Sequence, residues 1–167
     1  MDITKTAYIG IGSNLGDKLD NCLRAIDQIE KISGVRVTAR SPFYRTEPVG
    51  IQRQDWYLNG AIALSLHISV RALLTSLLDI ENVMGRKRIK KWDSRIIDLD
   101  ILIAGDEVID EQGLTVPHPL MHKRRFVLVP LVQLAPELMH PTLGMTIGAL
   151  LARIPEEGQS VEPIRVV

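Results

Sequence analysis

Asp98 and Asp100 are the pair of residues in this sequence whose types and spacing most clearly suggest chemistry. They lie in residues 95–103, a run of β-branched and aliphatic residues that is typical of a strand. Because side chains alternate between the two faces of a strand, both carboxylates share one face. The residues expected on the opposite face, toward a core, are Leu99, Ile101 and Ile103. Two adjacent carboxylates repel each other and resist burial, and a divalent cation relieves both effects. Oxygen-only ligation favours Mg²⁺, which keeps waters and binds substrate phosphates as well.

A dense basic segment, residues 85–95, leads directly into this strand. Metal-binding carboxylates beside arginines suit polyphosphate chemistry, since the metal neutralises phosphate oxygens and arginines bind the others bidentately. Plainer interpretations stay open at this point. The aspartates could lie at a solvated strand end or pair with arginines, and a basic run could be a solvated face or a nucleic-acid patch.

The composition indicates a single folded domain. Hydrophobic residues make up 46% of the 167, and 20 basic residues balance 20 acidic ones. This composition argues against disorder, and overall neutrality favours a small anionic ligand over nucleic acid or a membrane surface. With no apolar run long enough for a bilayer and no secretory pattern, we expect a cytoplasmic protein. Cys22, the single cysteine, falls on an apolar helix face and excludes an internal disulfide.

The periodicity of the rest of the chain predicts strands that alternate with helices. Strands are expected at residues 7–12, 35–44, 56–66, 98–103 and 107–109. Helices are expected after Asn and Asp caps at residues 14–17, after a cap at Ser69, and over residues 146–154. We expect one domain over residues 1–154, followed by a loose tail over residues 155–167 that contains two prolines and a glycine.

Three further positions are unusual for the elements that carry them. Tyr57 and Asn59 share the smaller, more polar face of a strand and could line a pocket together, although a structurally held pair is at least as common. Glu81 lies in the apolar stripe of a helix, where a carboxylate must find a partner or become protonated. It could also reach water at the helix end, and we favour a partner from the basic segment. His118 stands between two prolines, which restrict the backbone and could fix it for a contact.

A glycine pattern after the first strand raises a dinucleotide-binding alternative. Gly10, Gly12 and Gly16 follow the spacing Gly-x-Gly-x-x-x-Gly, which is one residue longer than the usual Gly-x-Gly-x-x-Gly fingerprint. Arg36 and Arg40 stand where an acidic residue is expected, which could suit a 2′-phosphate. The chain has too few helices among its first strands for a doubly wound sheet, and the two aspartates would have no role in that reading.

Six segments, in this order along the chain, resemble the 6-hydroxymethyl-7,8-dihydropterin pyrophosphokinase family of folate biosynthesis. They are GSNLG (12–16), FYRTEPVG (43–50), YLN (57–59), GRKRIKKW (85–92), RIIDLD (95–100) and VPHP (116–119). The resemblance runs from about residue 7 to about residue 151. It implies an α+β, ferredoxin-like fold with a mainly antiparallel sheet and helices packed on it. It also implies an enzyme that transfers the β,γ-diphosphate of ATP to the pterin hydroxymethyl group and releases AMP.

The resemblance assigns the catalytic and nucleotide-binding residues. Asp98 and Asp100 match carboxylates that hold two Mg²⁺ ions. Arg86 matches an arginine that we assign to transition-state charge in a closing loop, and Arg95 one that we assign to a phosphate and the reacting edge of the pterin. The positions implied at the ATP are Glu81, Arg88, Ile101, Thr115, His118 and Arg124.

The pterin site follows from the same resemblance. Tyr57 and Phe126 match two rings that sandwich the pterin, and Asn59 matches the amide that binds its polar edge. The other positions implied at the pterin are Thr46, Pro48, Val49 and Trp92. Two departures, Pro119 where some members carry tyrosine and Gly113 where some carry arginine, predict a changed ATP affinity with the chemistry retained.

Two other hypotheses compete with the pyrophosphokinase. One is a catalytically silent module that binds a nucleotide or pterin, and the other is an NADP-binding domain. The charge density of Arg86, Arg95 and the two aspartates argues against binding alone. For the leading hypothesis, the expected partners are small-molecule substrates, with no nucleic acid and no membrane, and the expected oligomeric state is a monomer.

Overall fold

A computed structural model describes residues 4–47, 56–85 and 96–164. The strands are β1 (Lys5–Ser13), β2 (Val35–Arg40), β3 (Tyr44–Thr46), β4 (Tyr57–Leu66), β5 (Asp98–Ala104), β6 (Ile109–Glu111), β7 (Leu114–Val116) and β8 (Val161–Pro163). The helices are α1 (Lys18–Glu30), α2 (Val70–Val83), α3 (Arg125–Leu134) and α4 (Ile147–Ala152), with a short 3₁₀ turn at Met121–Lys123.

The main sheet of the described residues has the order β5-β1-β4-β3-β8, and β2 pairs with β4 beside β3. All of these neighbours are antiparallel. If β2 and β3 are taken as one interrupted strand, the first part of the chain runs β-α-β-β-α-β with the spatial order 4-1-3-2. This is the ferredoxin-like arrangement, so the predicted fold class is confirmed.

Two apolar clusters hold helices on opposite faces of the sheet. On one face α1 and α2 pack against β1, β4 and β5, and the fully buried residues include Ile9, Ile26, Ile29, Leu64 and Leu73. On the other face α3 and α4 pack through Leu102, Met121, Leu128, Leu131 and Ile147. Burying each such side chain contributes about 1.5–3 kcal/mol, so both sets of helices are anchored to the sheet that carries the aspartates.

Several local predictions are confirmed. The Asp17 side chain caps α1 by accepting the Asp20 N–H at 3.1 Å, and the Ser69 side chain caps α2 by accepting the Ala72 N–H at 3.0 Å. Cys22 is buried, and burial raises the pKa of its thiol to about 12. Separately from these predictions, the described part of the chain has no helix that combines the length and the hydrophobicity needed to cross a bilayer.

The expectation that Ile103 shares a face with Leu99 and Ile101 is wrong. The register of β5 against β1 shifts, so that Ile9 lies opposite Ile101 but Tyr8 lies opposite Ile103. A β-bulge of this kind adds one residue and reverses the alternation beyond it. Leu99 and Ile101 therefore belong to the α1/α2 cluster, whereas Ile103 packs in the α3/α4 cluster.

Two predicted strands are arranged differently in the structure. Residues 35–44 form two strands, because Ser41, Pro42 and Phe43 interrupt the pairing and proline has no N–H to donate. The short strand expected at 107–109 is β6, which begins at Ile109 and pairs with β7 in a separate hairpin.

The C-terminal segment is not the loose tail that its composition suggests. Val161–Pro163 forms β8 and pairs with β3, with Val161 opposite Thr46 and Pro163 opposite Tyr44. A three-residue strand ending in proline has too little pattern to be predicted, and an edge strand tolerates proline because it needs fewer N–H donors.

Candidate active site

One face of the sheet carries a polar row that crosses four strands. Gly12 of β1 lies opposite Asp98 of β5 on one side and opposite Asn59 of β4 on the other, and Tyr44 of β3 lies opposite Asn59. Residues paired in this way direct their side chains to the same face. In the adjacent row Asp100 lies opposite Gly10. Both aspartates and Asn59 therefore face the same side, separated by a strand that has only glycine there.

The two glycines of β1 let side chains of the neighbouring strands lie close over this strand, with the Asn59 amide over Gly12 and the Leu102 side chain over Gly10. A Cβ built on Gly12 would lie 2.5 Å from the Asn59 Oδ1, a distance that real Cβ atoms do not tolerate.

Gly10 and Gly12 lie within β1, which continues to Ser13, rather than in the turn where dinucleotide-binding glycines lie. The antiparallel sheet also excludes a doubly wound dinucleotide fold, so this alternative is wrong.

For the pterin and the ATP that the resemblance implies, Gly12→Ala is expected to weaken binding of the pterin more than binding of ATP. The added methyl group pushes the Asn59 amide out of its position, at a cost of about 1–3 kcal/mol in steric strain and repacking. That cost corresponds to roughly a 5- to 150-fold rise in the KM for the pterin. Steady-state kinetics with each substrate varied in turn measures the two KM values. An equal change in both would contradict the placement of Asn59 at the pterin.

Asn59 is held by a neighbour on β3. Its Nδ2 donates to the Thr46 Oγ1 at 2.5 Å, and both side chains are buried. Thr46 in turn lies opposite Tyr57, so the structure brings these three predicted pterin residues together. Because the Nδ2 is engaged by Thr46, the Oδ1 is the amide atom that faces the space over Gly12. Asn59 therefore presents a hydrogen-bond acceptor to the site.

Glu81 of α2 is linked directly to the strand of the two aspartates. Its side chain is only 2% exposed, and its Oε2 accepts the Leu99 backbone N–H at 2.8 Å. β5 is an edge strand, so this N–H points away from β1 and needs an acceptor from outside the sheet. We expected a partner in the basic segment, which lies outside the described residues. The contact with Leu99, between Asp98 and Asp100, could not be predicted from the sequence.

His118 lies beside β5 and within electrostatic reach of Asp100. Its backbone N–H donates to the Leu102 carbonyl at 2.9 Å, and its Nδ1 accepts the Leu120 N–H at 3.2 Å. An Nδ1 that accepts a hydrogen bond leaves the ring proton on the Nε2. Burial lowers the pKa of His118, the Asp100 charge opposes this shift, and the Arg124 charge reinforces it. His118 is thus a neutral donor near the aspartates.

Arg124 and Phe126 flank the start of α3. The Arg124 guanidinium carbon lies 5.5 Å from the centre of the Phe126 ring, within the range of a cation–π contact. Phe126 is partly exposed and also packs against the α3/α4 cluster. The residue proposed for the pterin and the residue proposed for the nucleotide are therefore neighbours at this helix end.

The remaining predicted site residues divide into two groups. Ile101 is 6% exposed and belongs to the α1/α2 cluster, so its side chain points away from the aspartate face, and Thr115 is exposed on β7. The predicted residues that lie outside the described parts of the chain are Pro48, Val49, Arg86, Arg88, Trp92 and Arg95.

The donor set fits Mg²⁺ better than a metal with a full protein ligand cage. Within residues 4–47, 56–85 and 96–164 there is no group of three or more His, Cys, Asp or Glu side chains that could hold an ion. Asp98 and Asp100 offer only carboxylate oxygens. One or two carboxylates suffice for Mg²⁺ when waters and substrate phosphates complete its coordination.

Comparison with known proteins gives consistent matches. Residues 8–136 match the family model described as 7,8-dihydro-6-hydroxymethylpterin-pyrophosphokinase (HPPK). The 2-amino-4-hydroxy-6-hydroxymethyldihydropteridine pyrophosphokinase of Methylorubrum extorquens is 40% identical over 152 residues, 91% of this chain and 95% of that protein. The protein of the same name from Haemophilus influenzae is 40% identical over 136 residues, 81% and 85% of the two chains. A crystal structure of HPPK-DHPS from Plasmodium falciparum shares the fold, with a TM-score of 0.74 and 15% identity over 91% of this chain and 46% of that chain.

Proposed function

The chain belongs to the 7,8-dihydro-6-hydroxymethylpterin-pyrophosphokinase family, and from that premise we propose how its residues carry out the reaction. The protein is an enzyme of folate biosynthesis that transfers diphosphate from ATP to 6-hydroxymethyl-7,8-dihydropterin and releases AMP. The hydroxymethyl oxygen attacks the β-phosphorus of ATP and releases its proton to water, while the bond between the β-phosphorus and the oxygen bridging to the α-phosphate breaks and AMP leaves with that oxygen. The observation that most supports this assignment is the polar row in which Asp98, the bare Gly12 and Asn59 lie side by side.

Asp98 and Asp100 are the proposed ligands of two Mg²⁺ ions that arrive with ATP. Bound there, Mg²⁺ would neutralise charge on the phosphate oxygens. The two carboxylates fix where the triphosphate lies on the sheet, and Glu81 fixes the strand that carries them through the Leu99 N–H. The neutral His118 is placed to donate its Nε2–H to a phosphate oxygen, and Arg124 adds a positive charge next to it.

The pterin is proposed to bind between the β4 side and the α3 side of the site. Asn59 presents its Oδ1 as an acceptor for N–H groups on the polar edge of the pterin, because Thr46 holds the Nδ2. Tyr57 and Phe126 supply aromatic faces for stacking. This arrangement orients the hydroxymethyl group toward the triphosphate, and orientation of this kind supplies a large part of the rate enhancement.

The arginines of the basic segment complete the proposal. Arg86 is proposed to stabilise the charge of the transition state, Arg95 to bind a phosphate next to the pterin, and Arg88 and Trp92 to belong to the same closing segment. Pro48 and Val49 are proposed to line the pterin pocket through their backbone groups. ATP as co-substrate supports a cytoplasmic site of action, and we propose a monomer that uses small-molecule substrates and neither nucleic acid nor a membrane.

Release of AMP that depends on the pterin tests the proposed function. Mg²⁺-ATP is incubated with the protein, with and without 6-hydroxymethyl-7,8-dihydropterin, and the nucleotides are separated by chromatography. We expect AMP only when the pterin is present, and no ADP. ADP formation would mean ordinary phosphoryl transfer, and the absence of any turnover would favour a binding module.

A further inference from the structure

The C-terminal strap, residues 159–164, contacts the start of α3 through Gln159. The Gln159 Oε1 accepts the Arg125 backbone N–H at 3.0 Å, and the Gln159 carbonyl accepts the Arg125 Nε–H at 3.2 Å. Arg125 is the first residue of α3, and the residue before it gives the helix no side-chain cap. First-turn N–H groups have no partner inside a helix. Gln159, 34 residues later in the chain, supplies the acceptor for the first N–H of α3.

The same strap contacts the opposite side of the proposed pterin pocket through the next residue. The Ser160 N–H donates to the Glu47 Oε1 at 3.0 Å, and the Glu47 N–H donates to the Ser160 carbonyl at 3.0 Å. Val161 then lies opposite Thr46, the residue that holds the Asn59 amide. Two consecutive residues of the strap therefore join β3 to the start of α3.

We propose that Gln159 and Glu47 are positioning residues for the pterin. Phe126 directly follows Arg125, and Thr46 directly precedes Glu47, so each strap contact lies one residue from a proposed pterin-binding group. Two groups that bind one small ring system must keep a fixed separation, and the sequence distance between them is too long for local structure to set it. This inference rests on the proposed function and extends it to the segment from residue 155 onward.

A strap that only stabilises the fold and a strap that positions the pterin-binding groups predict different effects on stability and on the two KM values. Loss of a structural contact lowers the stability of the whole protein and leaves the two substrates equally affected. Loss of a positioning contact raises the KM for the pterin more than the KM for ATP, because Asp98, Asp100 and His118 lie on or beside β5, at the other edge of the sheet. Among the described residues proposed to bind ATP, Arg124 alone adjoins a strap contact. The ratio of the two KM values therefore separates the two roles.

The test uses Gln159→Ala and Glu47→Ala, each with a conservative partner that keeps a side-chain oxygen, Gln159→Glu and Glu47→Gln. Loss of a helix cap or of an equivalent contact changes an equilibrium by about 3- to 10-fold. We expect each alanine variant to raise the KM for the pterin by that factor, and the conservative variants to restore it. Glu157→Ala, an exposed residue just before the strap, is the matched control.

Two outcomes would overturn the proposal. One is a lowered unfolding temperature with both KM values unchanged, and the other is an equal rise in both KM values. If one alanine variant fails to fold, the other tests the strap from the opposite side of the pocket. Wild-type protein without pterin-dependent AMP release would contradict the proposed function instead, so the two failures are distinguishable.

Discussion

Asp100→Asn is expected to lower kcat by about 10²- to 10³-fold, the scale seen when one electrostatic contact to a reacting centre is removed. Asparagine keeps the size of the side chain but removes the negative charge that strengthens the binding of Mg²⁺. Asp100 is exposed on the site face of β5, so the substitution leaves no cavity in the core. We therefore expect an unchanged unfolding temperature, and the same result for Asp98→Asn.

Turnover is measured as AMP release over a range of Mg²⁺ concentrations, and thermal unfolding is followed on the same samples. Asp27→Asn is the matched control, because Asp27 is also an exposed aspartate but lies on α1 rather than on a strand of the site. Weakened metal binding predicts a higher Mg²⁺ requirement for the variants of Asp98 and Asp100 alone. A full-rate Asp100→Asn enzyme would remove the central support of the proposed mechanism.

Glu81→Leu is expected to reduce both stability and turnover. The substitution keeps most of the side-chain volume but leaves the Leu99 N–H without the acceptor that the structure gives it. A buried donor that loses its partner costs about 1–3 kcal/mol in the free energy of unfolding. The strand segment between Asp98 and Asp100 then loses its outer support, and we expect a decrease in kcat of about 10-fold or more, as for the loss of groups that orient metal ligands.

Glu81→Gln separates the hydrogen bond that this side chain accepts from the negative charge that it carries. Glutamine keeps an oxygen that can accept the Leu99 N–H but carries no charge. If Glu81 acts mainly by holding β5, the glutamine variant stays near wild type in kcat and in unfolding free energy, whereas the leucine variant does not. Equal kcat values for the wild type and Glu81→Leu would show that the aspartates do not depend on this contact.

The parts of the fold that depend on local patterns could be predicted from the sequence. Alternation placed Asp98 and Asp100 on one face, and it grouped Tyr57 with Asn59. Side-chain chemistry at Ser69 predicted the cap of α2, which the structure confirms. These features depend on neighbours only a few residues away, so the sequence contains all the information they need.

The parts that depend on which strands become neighbours could not be predicted. The bulge that moves Ile103 to the second cluster arises from the pairing of β5 with β1. The close approach of the Asn59 amide to Gly12 depends on the pairing of β4 with β1, so the need for glycine at this position could not be predicted. The strand β8 has almost no local pattern, and its partner β3 lies more than a hundred residues earlier in the chain. Glycine within a strand, rather than in a turn, was the one available signal of a close approach.

The most direct test of the account is to follow both transferred phosphates. ATP labelled separately at the β-phosphate and at the γ-phosphate is turned over with 6-hydroxymethyl-7,8-dihydropterin, and the label in the pterin product is counted. Transfer of the intact diphosphate predicts equal incorporation of the two labels, with unlabelled AMP as the other product. Incorporation of the γ-label alone, with the β-label left in ADP, would contradict the placement of the reacting β-phosphorus at Asp98 and Asp100.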